Sequence, residues 1–494
     1  MKNYMKKYLF LMLSALLIVS CSKKDQVIVS GVIKNVSPLD RIELINASSP
    51  TTLPVANIGV DANGKFSDTI AIAEDGLYAI TVGRNMNFVY LKKGEHLNIT
   101  ADGADFSSSM KVEGDGEKNN AFLAALQKYM TEYLGKVDVQ FMSKDEKPFL
   151  DEVQKMDKDM EKKIDELKSK FSPDSDLVKL KKDEAKVNLL MLMEQYANIH
   201  GQATGNPNYK PSLSFNNIRE SLVKNEVQLV KEIPTYRSYL LMKYKDRFDQ
   251  FVDNLKNKDL SATEAFAQFI NKEKGVDQEV KDQLLAFVAM QYDMSPQNPR
   301  FDQMMATLDK EVKNPQIKKD LKEIKLVMQG LPKGTKAPDE GLVTADGKAF
   351  QFSMIKDNRP TVLIFYTSWT PYVNEALKSI NAELNETYAN HINTVIVNLD
   401  DTQDQFKKTS DAVLKDLKNV QSVYAKGGLK SKVAKAYGIY GFKLPCIVVV
   451  DKDGKIVSAS YVETRGDGLE KVLTTLTGIQ PKPKETKEES QPSK

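Results

Sequence analysis

The chain has 494 residues, with 70 Lys and Arg against 67 Asp and Glu, and 41% of its residues are hydrophobic. That near-balance leaves no global field favouring nucleic acid, and the length exceeds what one hydrophobic core serves, so about three domains are expected. Two cysteines and three widely separated histidines, His96, His200 and His391, make no zinc or haem motif, so neither a metal nor a cofactor is expected.

The first 21 residues read as an address rather than as structure. Lys2, Lys6 and Lys7 make a basic start, and 9–19 is apolar except for Ser14. That stretch is too short to span a membrane comfortably. Ile18-Val19-Ser20-Cys21 resembles a lipobox, which implies lipidation of Cys21 as the first residue of the mature protein. Lipid on Cys21 would hold the protein to a membrane through buried methylenes, without a spanning helix. Residues 22–26 follow as a polar tether with no clear acidic sorting signal, so the expected location is the cell envelope, at the outer membrane facing the periplasm. Loss of the three leader lysines leaves 67 basic residues against 67 acidic ones. With Cys21 acylated, Cys446 is the one remaining thiol, and no internal disulfide can form.

Residues 27–115 read as short strands separated by turns, an antiparallel β-sandwich. Val27-Ile28-Val29-Ser30-Gly31-Val32-Ile33 is rich in β-branched residues, and Asn63-Gly64 supplies a hairpin turn. Further strands are expected at 77–82, 88–91 and 97–100. The order Gly31-Val32-Ile33, Asp61-Ala62-Asn63-Gly64-Lys65-Phe66, Gly76-Leu77-Tyr78-Ala79-Ile80 and Leu91-Lys92-Lys93-Gly94-Glu95 is similar to a β-sandwich domain of Bacteroidota envelope lipoproteins. In that group the sandwich commonly precedes a thioredoxin-like domain, and it implies no catalysis. Asp68-Thr69-Ile70 fits an O-glycosylation acceptor known from the same group, which would place the sugar on Thr69; an ordinary strand explains the triplet equally well.

Residues 116–330 carry helix periodicity. Phe122, Leu126, Tyr129, Met130 and Tyr133 fall on one helix face, and 177–199 is a second amphipathic stretch. Further helices are expected at 235–256, 261–273, 276–292 and 315–329, with a loop over 201–211. Met191-Leu192-Met193 and Met304-Met305 suit core packing, with an adaptable binding surface as the alternative. The tail, 481–494, holds only Pro, Lys, Glu, Thr, Ser and Gln and is expected to be disordered.

The last domain, 331–480, carries the chemistry. Gly334-Thr335-Lys336-Ala337-Pro338-Asp339 opens it and Asp346-Gly347-Lys348 turns a hairpin. Thr361-Val362-Leu363-Ile364-Phe365-Tyr366 reads as a strand, Trp369-Thr370-Pro371-Tyr372-Val373 as a turn, and a helix follows from Asn374. Asn393-Thr394-Val395-Ile396-Val397-Asn398, Tyr437-Gly438-Ile439-Tyr440-Gly441, Pro445 and Cys446-Ile447-Val448-Val449-Val450 complete the pattern. Together these landmarks resemble the extracytoplasmic thioredoxin-like reductases of the TlpA and ResA type, an α/β fold, with two extra residues before Pro445. The resemblance implies a dithiol corner of the form Trp-Cys-Pro-x-Cys and a cis-proline lying against it. In that mechanism a thiolate at a helix N-terminus attacks a disulfide and the second cysteine resolves it.

Here Thr370 and Val373 occupy the two cysteine places. An alcohol without an adjacent base is a poor nucleophile, and valine is inert. The expectation is therefore a multidomain, membrane-anchored protein that binds a peptide or protein partner and does no dithiol chemistry. Trp369 and Tyr372, with Tyr366, Tyr440 and Phe442 nearby, would offer an aromatic groove beside Pro445, and packing of Trp369 into the corner is the equal alternative. The competing reading is an oxidoreductase-related protein acting through Cys446 alone, against which stands Cys446 as a buried small hydrophobe.

Overall fold

The computed structural model of the chain describes residues 25–481, apart from 136, 138, 207, 356, 461 and 462 and the side chains of 139 and 413. The leader, Cys21, residues 22–24 of the tether and the tail from 482 lie outside the described residues. The chain forms two compact units, one ending at Lys243 and the other beginning at Tyr244.

The first unit opens with eight strands: β1 (Gln26–Lys34), β2 (Arg41–Asn46), β3 (Pro54–Gly59), β4 (Lys65–Ala71), β5 (Gly76–Val82), β6 (Asn85–Leu91), β7 (His96–Asp102) and β8 (Lys111–Gly114). They make two four-stranded sheets, ordered β4-β1-β7-β8 and β3-β2-β5-β6. Alternate residues of β1, β2 and β7 point inward, as the two-residue period requires, and Val27, Val29, Ile42, Leu44, Ile80, Val89 and Ile99 share one core. The turn between β3 and β4 shows why its glycine is needed. Gly64 sits at φ 72°, and a β-carbon there would lie 1.9 Å from the carbonyl oxygen of Ile33. Strands β2, β3 and β8 were not anticipated; β3 begins at a proline, and β8 is mostly exposed and shows no buried alternation.

Helices follow: α1 (Glu117–Leu134), α2 (Glu146–Phe171), α3 (Ser175–Ala203), α4 (Leu213–Leu222), α5 (Glu226–Glu232) and α6 (Pro234–Asp253). Phe122 and Leu126 are buried in a core with Ile164 and Leu177, and Tyr129, Met130 and Tyr133 pack beside them. α3 runs through Gly201 into the stretch expected to be loop. Its end is held because Thr204 donates both its backbone N–H (2.9 Å) and its hydroxyl (2.7 Å) to the carbonyl of His200. α2, α4 and α5 were also missed; α2 is highly charged, yet seven apolar residues at helical spacing bury one face of it.

Arg237 closes this unit. It is 1% exposed, and its guanidinium donates to the carbonyls of Val230 and Lys231 at 2.9 Å each and to that of Ser48, in the loop after β2. Burial pushes its pKa down to about 10. A buried cation satisfied by three carbonyls ties the helices to the strands at the cost of desolvation.

The second unit carries α7 (Ala262–Ile270), α8 (Gln278–Val288), α9 (Phe301–Glu311) and α10 (Pro315–Gln329). Ser261 and Glu264 form a capping box at the start of α7. The helix expected over 276–292 divides: a π-turn at Ala289–Asp293 follows α8 and aims the buried Asp293 at the N–H of Thr263, 2.6 Å away. Met304 and Met305 are buried in α9, and Met193 is buried in α3 of the first unit, so these methionines are core.

The remaining elements are β9 (Leu342–Val343), β10 (Thr361–Tyr366), α11 (Val373–Tyr388), β11 (Asn393–Asn398), α12 (Gln403–Leu414), β12 (Val420–Ala425), α13 (Lys432–Ala436), β13 (Cys446–Val450), β14 (Ile456–Ser458) and α14 (Asp467–Thr477). One mixed sheet runs β14-β13-β10-β11-β12-β9, with β10, β11 and β12 parallel and β13 antiparallel to β10. Every residue of β10 is buried, which fits a strand covered on both faces. Leu363 and Phe365 enter one core with Cys446 and Tyr437, while Val362, Ile364 and Tyr366 enter the other with α11 and α14. Among the described residues no helix is long and apolar enough to cross a membrane.

Replacing Arg237 by Met should lower the stability of the first unit by about 2–4 kcal/mol, because three carbonyls shielded to different degrees from water lose their donor. Urea denaturation followed by circular dichroism measures it; an unchanged midpoint would contradict the assigned role.

Candidate functional site

β10 ends at Tyr366, and the chain turns through 367–372 before α11 opens at Val373. Asp400 fixes that turn. Its carboxylate is fully buried just beyond β11, accepting the N–H of Ser368 at 2.7 Å and the side-chain amide of Asn398 at 2.9 Å. Sequence reasoning missed Asp400; the signal was an acid two residues past the end of an apolar strand.

The two positions that would carry cysteines face different surroundings. Thr370 is half-buried, and its hydroxyl lies 2.7 Å from that of Thr367 rather than beside a base. Val373 is 4% exposed and packs in the core that contains Tyr366 and Leu377. Nothing here raises the nucleophilicity of the Thr370 hydroxyl.

Pro371 and Tyr372 are exposed, Tyr372 to 83%. Tyr372 adopts left-handed backbone geometry, φ 56° and ψ 21°, as the N-cap of α11. That conformation is unfavourable for a bulky L-residue by about 1–2 kcal/mol, so the turn holds an aromatic ring in water at an energetic cost. Trp369 is half-buried and packs against the core that contains Cys446 and Tyr437, so it covers the corner rather than standing free.

The Leu444–Pro445 peptide bond is cis. Sheet register sets Cys446 beside Phe365, at the corner end of β10. Phe442 is 60% exposed and stacks on Tyr440 at 5.8 Å. Tyr366 does not join these aromatics: it is buried and points to the opposite face of the sheet from Cys446. The exposed aromatic set is therefore Tyr372 and Phe442, with Tyr440 partly covered.

Cys446 is 4% exposed. Burial pushes its pKa up, and the cations of Lys443 and Arg465 only partly offset that. A thiol held protonated is a weak nucleophile. Lys443 and Arg465 were not singled out from the sequence, although Lys443 lies in the stretch before Pro445 that carries the two extra residues.

Elsewhere, Thr69 is exposed on the edge strand β4, and its N–H donates to the carboxylate of Asp68 at 2.8 Å. His96 lies 2.9 Å from the hydroxyl of Ser30, and His200 is buried against Tyr196. No group of His, Cys, Asp and Glu able to hold a metal occurs among the described residues. A cavity of about 280 Å³ in the first unit is lined by Met130, Met156, Met160 and Met191, among other residues.

Residues 333–459 match the AhpC/TSA family. A thiol-disulfide oxidoreductase from Bacteroides fragilis is 25% identical over 29% of this chain and 99% of its own, with a TM-score of 0.24. A thiol:disulfide interchange protein from Bacteroides sp. is 23% identical, over 32% of this chain and 96% of its own, at a TM-score of 0.24. The thioredoxin domain of a thiol-disulfide oxidoreductase from Bacteroides vulgatus is 21% identical, over 30% and 99%, at 0.25. No curated protein matches the chain. The mixed sheet β14-β13-β10-β11-β12-β9 thus lies within the stretch that is similar to the AhpC/TSA family.

Two outcomes follow from the corner. Iodoacetamide should modify Cys446 in the folded chain at least about tenfold more slowly than in the urea-unfolded chain at the same pH. Because the folded pKa lies above the ordinary thiol value of 9.0, the thiol's stabilising contribution is complete below that pH and is lost as pH rises through the folded pKa. Equal rates would mean an open, reactive thiol. Tyr372→Gly should raise the thermal stability of the second unit by about 1 kcal/mol, since glycine tolerates the left-handed geometry; a loss of stability would show that the ring supports the fold.

Proposed function

We propose that the chain is a lipid-anchored cell-envelope protein whose thioredoxin-like domain holds an extended peptide or protein segment without dithiol exchange. The observation that carries this reading is the pair Thr370 and Val373, one hydroxyl bonded to another and one buried valine, at the start of an otherwise intact α11 corner. With Cys21 and Cys446 the only cysteines in the sequence, no second thiol can reconstitute a resolving pair. Exposed Tyr372 and Phe442 supply apolar contact area, and the Leu444–Pro445 segment supplies an edge for an added strand. The anchor rests on the lipobox-like Ile18-Val19-Ser20-Cys21, and the periplasmic face of the outer membrane on the lack of a clear acidic signal in the tether after it. We read the two β-sheets of the first unit as a sandwich, because their inward faces share one core.

The alternative, single-thiol chemistry at Cys446, has in its favour only that the thiol sits at the corner. Burial and the raised pKa weigh against it.

Purified protein lacking the leader should show no catalysed reduction of insulin disulfides by dithiothreitol, and Cys446→Ser should behave the same way. The double variant Thr370→Cys, Val373→Cys should gain activity well above background, because the helix N-terminus that lowers a thiol pKa is already in place. Turnover by the native chain that disappears in Cys446→Ser would favour the single-thiol reading instead.

A further inference from the structure

Helices α1, α2 and α3 of the first unit line the cavity of about 280 Å³. Its methionines come from all three: Met130 from α1, Met156 and Met160, one turn apart, from α2, and Met191 from α3. Methionine is about one residue in 27 of the whole chain, yet it makes four of the eleven described residues around this space. Met193 is core, whereas Met191 faces the cavity. Met156, Met160 and Ala185, the smallest side chain of the lining, are buried, so one end of the space lies away from water. Gln195 is exposed and Met191 half-buried, so the other end meets solvent. Among the described residues the lining carries no charged group and no aromatic ring, and its polar side chains are the amides of Asn188 and Gln195.

We propose that this cavity binds a small, neutral aromatic molecule of two fused rings, held by methionine sulfur and oriented by an amide at the mouth. The site belongs to the first unit and is independent of the peptide-holding reading. Three observations select that occupant. The volume is about twice the roughly 150 Å³ of an apolar cavity that takes one benzene ring, so a fused pair of rings fills it. Thioether sulfur gains more from the edge of an aromatic ring than from an alkane, and flexible methionines adapt to a flat guest. A charged guest would lose its water without meeting a counter-charge, whereas a hydroxyl or ring N–H finds the side-chain oxygen of Asn188 or Gln195.

Isothermal titration calorimetry of the full chain without its leader tests this with four probes: 2-naphthol, its saturated counterpart decahydro-2-naphthol, 2-naphthoate and N-acetyltryptophanamide. 2-Naphthol should bind at one site, about tenfold or more tightly than each of the other three. Ala185→Leu should abolish that binding at an unchanged or raised melting temperature, because it fills the space. The double variant Met156→Leu, Met160→Leu conserves volume, so it keeps the test open where Ala185→Leu does not fold. It should weaken 2-naphthol about threefold or more and leave decahydro-2-naphthol unchanged. No saturable binding of 2-naphthol, or binding that Ala185→Leu leaves intact in a folded chain, overturns the site. Equal binding of the saturated alcohol, or a double variant that weakens both alcohols alike, overturns selection by sulfur. Tighter binding of 2-naphthoate overturns the neutral class. N-acetyltryptophanamide binding as tightly as 2-naphthol overturns the small-molecule assignment in favour of a peptide side chain.

Discussion

Strand β10 is buried along its whole length, and the register of β13 against it sets Cys446 beside Phe365. That one alignment places everything at the corner. It brings the Leu444–Pro445 segment to the end of β10 where α11 begins, and it points Cys446 to the same face as Trp369 and Tyr437. A slip of one residue would send every side chain of β13 to the other face. Two separate cores, one on each face of the sheet, make such a slip prohibitive.

Within that frame, the turn between β10 and α11 is well held but carries no thiol of its own. Asp400 still pins the turn through the N–H of Ser368, and α11 still presents its N-terminus. The hydroxyl of Thr370 is occupied by Thr367, Val373 is buried, and the one thiol nearby is protonated by burial. What the corner presents to solvent is Tyr372, in costly left-handed geometry, and Phe442. Strain kept at an exposed aromatic residue is understandable if the ring is used for contact.

The sequence reading was sharpest where burial on both faces leaves a continuous apolar run. Thr361–Tyr366 and Asn393–Asn398 were legible to the residue for that reason. It was weakest where tertiary contacts decide. α3 continues past Gly201 because Thr204 caps it, which local propensity does not reveal. α2 looked too charged to stand out, although one face is buried along its length. At the site, the absence of a thiol from 369–373 was plain from the sequence, but the assignment of Tyr366 to the aromatic groove was wrong because strand alternation turns it to the opposite face. Lys443 was legible only as part of an extension; its burial required the fold.

The most direct test of the central claim, that this corner holds peptide without covalent chemistry, is a fluorescence titration of Trp369 with extended peptides in the native chain and in Cys446→Ser, with and without reductant. The account predicts saturable binding with the same dissociation constant in all four conditions. Binding that requires the Cys446 thiol, or that reductant reverses, would contradict it.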